Sequence, residues 1–99
     1  MSGVLVRPDE QAVIGANGVM LREYDDVLFL RSVKSNGAGN VSVDVIPAGT
    51  RGTIINTLEN NQVQIECYVG PKEFAFALED AAQLQLVQRR EEKLKHARN

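Results

Sequence analysis

Gln62-Val63-Gln64-Ile65-Glu66-Cys67-Tyr68 alternates polar and apolar residues without a break. A period of two belongs to a β-strand, whose successive side chains leave on opposite faces. Val63, Ile65 and Cys67 share one face, and Gln64, Glu66 and Tyr68 the other, as in a strand with one face in a core and one in water. Working outward, Glu73 to Leu78 repeats the pattern, with Phe74, Phe76 and Leu78 predicted on the apolar face against Glu73, Ala75 and Ala77. Upstream, Arg51 to Leu58 is rich in β-branched residues. Downstream, Leu84 to Val87 makes a short closing strand with Leu84 and Leu86 turned the same way. Asp26 to Val33 carries Val27 and Phe29 on one face and Leu28 and Leu30 on the other, which predicts a strand covered on both sides.

The connections between these segments are short and favour antiparallel hairpins. Asn60-Asn61, between two strand patterns, suits a type I′ turn, which needs positive φ at both central residues. Gly70-Pro71 breaks the next pair, and Glu79 to Gln83 fits one tight 3₁₀ turn before the closing strand. No convincing helical period runs through residues 1–87, so no βαβ unit and no parallel sheet is expected. Ahead of this framework, Val4 to Val6, Val13-Ile14 and Val19 to Leu21, with Asn17-Gly18 between the last two, predict an extra hairpin over the outer face of Asp26 to Val33. Ser35 to Asn40 has the Gly and Asn content of a flexible loop, and Val41, Val43 and Val45 return it to strand periodicity.

The chain has 99 residues, 43% of them hydrophobic and 24% charged, which suits one small globular domain and excludes wholesale disorder. Its formal net charge of -2 divides unevenly: residues 88–99 hold five basic and two acidic residues, for +3, and the remainder carries -5. The tail is rich in helix formers, and Glu91 precedes Lys95 by four residues, yet it has little to bury beyond Leu94 and Ala97, so it is expected to be helical or frayed. One cysteine forms no internal disulfide and fits a reducing compartment. No basic segment leads into an apolar run of signal-peptide length, and no stretch approaches the roughly 20 apolar residues of a membrane helix, so a cytoplasmic location is expected.

An all-β domain with this order of elements resembles a small antiparallel SH3-like barrel. The residues that carry the likeness are Asp25 to Leu30, Ile46-Pro47-Ala48-Gly49-Thr50-Arg51-Gly52-Thr53-Ile54-Ile55, Val63 to Glu66 and Leu84 to Val87. Together they are similar to a group of small bacterial SH3-like barrel domains. The Pro-x-Gly-x-x-Gly-x-Ile element also resembles KOW-type barrels of ribosomal and transcription proteins. The likeness spans residues 24–87 and divides the chain into an N-terminal hairpin extension (1–23), the barrel (24–87) and the basic tail (88–99). It implies a fold, with Gly49 and Gly52 serving backbone geometry, and no activity, since such barrels host many unrelated roles.

The chemistry-bearing residues are sparse. The single His96 sits in the charged tail and Cys67 alternates with core residues, so neither a metal site nor an activated nucleophile is predicted. Asp25-Asp26 and Glu79-Asp80 are adjacent carboxylates, which on a strand point apart, and Glu79-Asp80 suits the start of the 3₁₀ turn. The expectation is therefore a non-catalytic, cofactor-free module that binds a protein partner or itself. Tyr24 and Tyr68 would be its aromatic contacts, with Asp25 and Asp26 forming an acidic rim suited to a basic or Pro-rich peptide. Two alternatives remain. One is a KOW-like nucleic-acid binder, which the acidic body and the 5% aromatic content disfavour. The other is a protein that neutralises a toxin or effector.

Overall fold

The computed structural model describes residues 12–35 and 45–92 and is all-β. Val4 to Val6, the loop from Asn36, Val41, Val43, Leu94 and His96 lie outside the described residues. The elements are β1 (Val13–Ile14), a 3₁₀ turn (Ala16–Gly18), β2 (Met20–Leu21), β3 (Asp26–Phe29), β4 (Val33–Lys34), β5 (Val45–Ile46), β6 (Arg51–Thr57), β7 (Gln62–Tyr68), β8 (Phe74–Asp80), a second 3₁₀ turn (Ala81–Gln83) and β9 (Leu84–Gln88). One antiparallel sheet holds five strands in the order β8-β7-β6-β3-β9, and β1-β2 and β4-β5 form two small hairpins. Among the described residues no ladder joins β8 to β9, and these two strands form the edges of the sheet.

The turns follow their residues. Asn60 and Asn61 both take positive φ (62° and 61°), as the β6–β7 hairpin requires, and Leu58 N–H donates to the Gln62 carbonyl at 2.8 Å. Gly49 lies at φ 90° in the turn that ends with Thr50 N–H donating to the Pro47 carbonyl, a conformation that disfavours any Cβ. Gly52 is required for a different reason. It sits opposite Cys67 in the ladder, and a Cβ there would stand 2.6 Å from Ile65 Cγ2 and 3.1 Å from Cys67 Cβ. The first glycine therefore bends the chain, and the second lets two strands pack closely on the core side.

Val27, Phe29, Ile54, Val63, Ile65 and Leu84 are fully or almost fully buried and form the centre of the core. Three expectations change. The strand predicted from Asp26 to Val33 stops at Phe29, because Leu30 N–H bonds Gln83 O and the Arg31 guanidinium turns aside to Glu79. Leu30 is consequently exposed rather than covered. The β1-β2 hairpin forms around Asn17-Gly18 as expected, but it sits at the end of the core and not over the outer face of β3. Asn61 accepts from Ile14 N–H at 2.8 Å and donates back to Ile14 O at 3.0 Å, while Val13 and Leu21 enter the core.

The third change concerns β8. Its buried residues are Ala75, Ala77 and Glu79, and Phe74, Phe76 and Leu78 face outward, the reverse of the expected phase. The ladder places Ala75 opposite Cys67, Ala77 opposite Ile65 and Glu79 opposite Val63. On the inner side Glu79 meets Arg31 in a two-pronged ion pair at 2.9 and 3.1 Å, and its Oε1 also accepts from Asp80 N–H. Because a strand shows alternate residues to each side, fixing Glu79 inward sends both phenylalanines out.

Candidate functional site

The outward face of the sheet is built from cross-strand neighbours. Asp26 lies opposite Thr53, Thr53 opposite Glu66, and Glu66 opposite Phe76; one step along, Leu28 lies opposite Arg51 and Tyr68 opposite Phe74. Tyr68 is 65% exposed and meets Phe74 edge to face, with ring centroids 6.3 Å apart. Phe74 meets Phe76 the same way at 5.7 Å. Leu78, 51% exposed, extends the apolar surface along the edge strand.

Beside these rings the face turns polar. Thr53 Oγ1 donates to Asp26 Oδ1 at 2.8 Å, and Arg51 Nη2 approaches Asp26 Oδ2 at 3.9 Å. A shallow depression of about 310 Å³ opens here, lined by Asp26, Arg51, Gly52, Thr53, Cys67 and Tyr68. An ion pair this long and this exposed contributes about 0–1 kcal/mol, so Arg51 can leave Asp26 for a ligand at little cost.

Of the four residues expected to bind a partner, Asp26 and Tyr68 come together on this face. Tyr24 is 48% exposed in a turn at φ 71°, held by its N–H donating to Ile54 O at 2.6 Å. Asp25 does not join an acidic rim: it is fully buried, and both carboxylate oxygens are engaged. Oδ2 accepts from Arg22 N–H at 2.9 Å and from Arg89 Nη1 at 3.0 Å, and Oδ1 accepts from Arg90 N–H at 3.1 Å. This geometry depends on a bulge. Asp26 pairs with Gln88 and Val27 with Leu86, so Val87 is the extra residue on β9, and the kink turns the following chain onto Asp25. The root of the basic tail is thus tied to the domain.

Sequence reasoning missed Arg51 and Thr53 as neighbours of Asp26, and placed Phe74 and Phe76 in the core. The available signal was Glu79, which shares a phase with Ala75 and Ala77 and could face inward only with a cation such as Arg31. Cys67 is buried as expected, and burial, reinforced by Glu66, pushes its thiol pKa up, so it stays protonated at neutral pH. Asp80 caps the second 3₁₀ turn by accepting from Ala82 N–H at 2.9 Å. Among the described residues no group of three or more His, Cys, Asp or Glu side chains could hold a metal ion, and no helix is long and apolar enough to cross a membrane. The chain matches no protein-family model, no curated protein and no solved structure.

Proposed function

We propose that this protein is a non-catalytic protein-interaction module on an SH3-like barrel, and that it binds through the outer face of β3, β6, β7 and β8 around Tyr68. The inverted phase of β8 carries this reading. Two alanines point inward while Phe74, Phe76 and Leu78 point outward beside an exposed Tyr68. Burying a Phe or Leu side chain is worth about 1.5–3 kcal/mol relative to leaving it in water. Fully covering this contiguous apolar face would therefore release several such increments, and contiguous exposed apolar patches mark interaction sites. The strand order, the tight β6–β7 and β7–β8 turns and the 3₁₀ turn before β9 support the SH3-like assignment, with the barrel left unclosed between β8 and β9 among the described residues.

Asp26 and Glu66 edge the aromatic surface, which favours a peptide segment with one basic side chain beside an apolar or Pro residue. Nucleic acid fits less well. Each of the five described arginines already faces a carboxylate: Arg22 with Glu91, Arg31 with Glu79, Arg51 with Asp26, Arg89 with Asp25, and Arg90 with Glu91. A phosphate would compete with those contacts.

The test is a calorimetric titration of a library of peptides rich in Pro, Lys and Arg against wild type and Tyr68→Ala. Because Tyr68 is mostly exposed, the substitution is expected to change stability by less than about 0.5 kcal/mol while weakening the best peptide about tenfold or more. Unchanged binding, or lost stability with binding intact, overturns the assignment. A mixed-sequence RNA at about 50 mM salt is expected to give a flat isotherm to tens of micromolar.

A further inference from the structure

We propose that a second copy of the chain pairs antiparallel along the β8 edge, beside this surface, about a two-fold axis at Phe76. The inference rests on the interaction reading above and extends it, since pairing doubles the surface that reading invokes. Among the described residues β8 pairs with β7 alone and ends the sheet. Proteins ordinarily protect such an edge with a charge, a proline or a bulge within the strand. The first five residues of β8, Phe74-Ala75-Phe76-Ala77-Leu78, have neither charge nor proline; its two carboxylates, Glu79 and Asp80, stand at the far end, where Glu79 is held by Arg31, and the register with β7 is unbroken from Gln62–Asp80 to Tyr68–Phe74. The register shifts occur elsewhere, in the β3–β9 and β6–β7 ladders. The uncharged stretch of the edge therefore also lies in a ladder with no register shift.

The sequence of that edge is complementary to itself. With Phe76 opposite Phe76 of the second copy, Phe74 faces Leu78, Ala75 faces Ala77, and Lys72, just before the strand, faces Asp80. A two-fold axis repeats each contact, so an aromatic and aliphatic centre is flanked at both ends by opposite charges. On the inner side Glu73 falls opposite Glu79, and the Arg31 guanidinium bonded to Glu79 sets a cation beside the two carboxylates that offsets part of their repulsion. The small alanines keep the inner side free of clashes. The two outer faces join into one surface running from one Tyr68 to the other.

Sedimentation velocity on the full chain from about 10 to about 500 µM tests this pairing over the range expected of a weak, small interface. Wild type is expected to move from 10.9 kDa toward twice that mass. Phe76→Lys sets two lysines against each other on the axis and is expected to raise the dissociation constant at least tenfold. Lys72→Glu, outside the strand, is expected to raise it less, with a difference that shrinks in high salt. Phe76→Cys in a Cys67→Ala background gives an independent readout. Facing Cα atoms in an antiparallel pair lie about 4.5–5.5 Å apart, within disulfide reach, so mild oxidation should yield a covalent dimer. Gln85→Cys in the same background, on the opposite edge strand, should not. A wild type that stays at 10.9 kDa throughout overturns the pairing. So does a Phe76→Lys variant that associates like wild type, or equal cross-linking at Phe76 and Gln85. A monomer whose Tyr68 surface still binds peptide overturns the self-pairing alone, whereas failure of the peptide titration as well removes the interaction reading.

Discussion

Asp25→Asn removes one charge from a fully buried site and changes almost no volume, so its effect isolates the electrostatics of the tail anchor. The carboxylate accepts three hydrogen bonds, two from the backbone N–H groups of Arg22 and Arg90 and one from the Arg89 guanidinium. An asparagine keeps a single acceptor oxygen. Whichever way its amide turns, its NH₂ faces at least one donor, and a buried unsatisfied donor costs about 1–3 kcal/mol. Losing the ion pair adds to this. Breaking a buried pair costs about 3–5 kcal/mol when the remaining charge is stranded, but the Arg89 side chain is 30% exposed and rehydrates, which lowers that part. The expected loss is about 3 kcal/mol, and a domain of this length loses about 4–8 °C in melting temperature per kcal/mol. Arg89→Met should cost as much or more, because it strands a carboxylate that is fully buried and that its two backbone donors compensate only in part. Urea unfolding followed by tyrosine fluorescence and far-ultraviolet circular dichroism measures both variants, and the double mutant gives their coupling. Truncation after Gln88 removes the Arg89 and Arg90 donors together and should match or exceed Asp25→Asn. If Asp25→Asn unfolds within about 0.5 kcal/mol of wild type, the carboxylate does not anchor the tail and the account of the β9 bulge fails.

Gly52→Ala is expected to cost about 1–3 kcal/mol by overpacking, read as a lower urea midpoint at unchanged slope, because the new methyl would stand 2.6 Å from Ile65 Cγ2. Asn61→Gly keeps the left-handed conformation of the turn but loses its bonds to Ile14 and Asp80. Hydrogen exchange should accelerate at Ile14 well before it does at Ile65; equal protection would detach the hairpin's position from Asn61. Tyr24→Asn relieves a bulky residue at φ 71° of about 1 kcal/mol of strain, so the melting temperature should hold or rise, and a fall would show that the ring packs. The raised pKa of Cys67 favours the folded state below the thiol's unfolded pKa, and this contribution is lost as pH rises from that value through the folded one. Disulfide-exchange reagents should therefore label Cys67 at a rate set by unfolding, faster in denaturant and at alkaline pH. Rapid labelling of the native protein at neutral pH contradicts its burial.

The strand pairs β6–β7 and β7–β8 were legible because alternation and turn chemistry are local. Val63, Ile65 and Cys67 could share a face only in a strand, and Asn60-Asn61 could both hold positive φ only in a tight hairpin. The bulge at Ile54–Asn56 was not legible. It shifts the inward positions of β6 from Gly52 and Ile54 to Thr57, and nothing in a β-branched run marks where a residue is skipped. The end of β3 at Phe29 was equally hidden, since it follows from bonds to Gln83 and Glu79 about fifty residues away.

The candidate site divides in the same way. Tyr68 could be recognised as an outward residue from its alternation with Val63, Ile65 and Cys67, and the sequence by itself determined that the chain is a β-protein with short hairpins and a sparse inventory of reactive groups. Only the tertiary structure decided which phase of β8 faces the core. Alternation names two faces and leaves their assignment open, and the choice turned on Glu79 meeting Arg31 across the fold. Likewise, Asp25 and Arg89 are 64 positions apart, so a carboxylate that reads as part of an exposed acidic pair became the buried anchor of the tail once the β9 bulge brought the arginine to it.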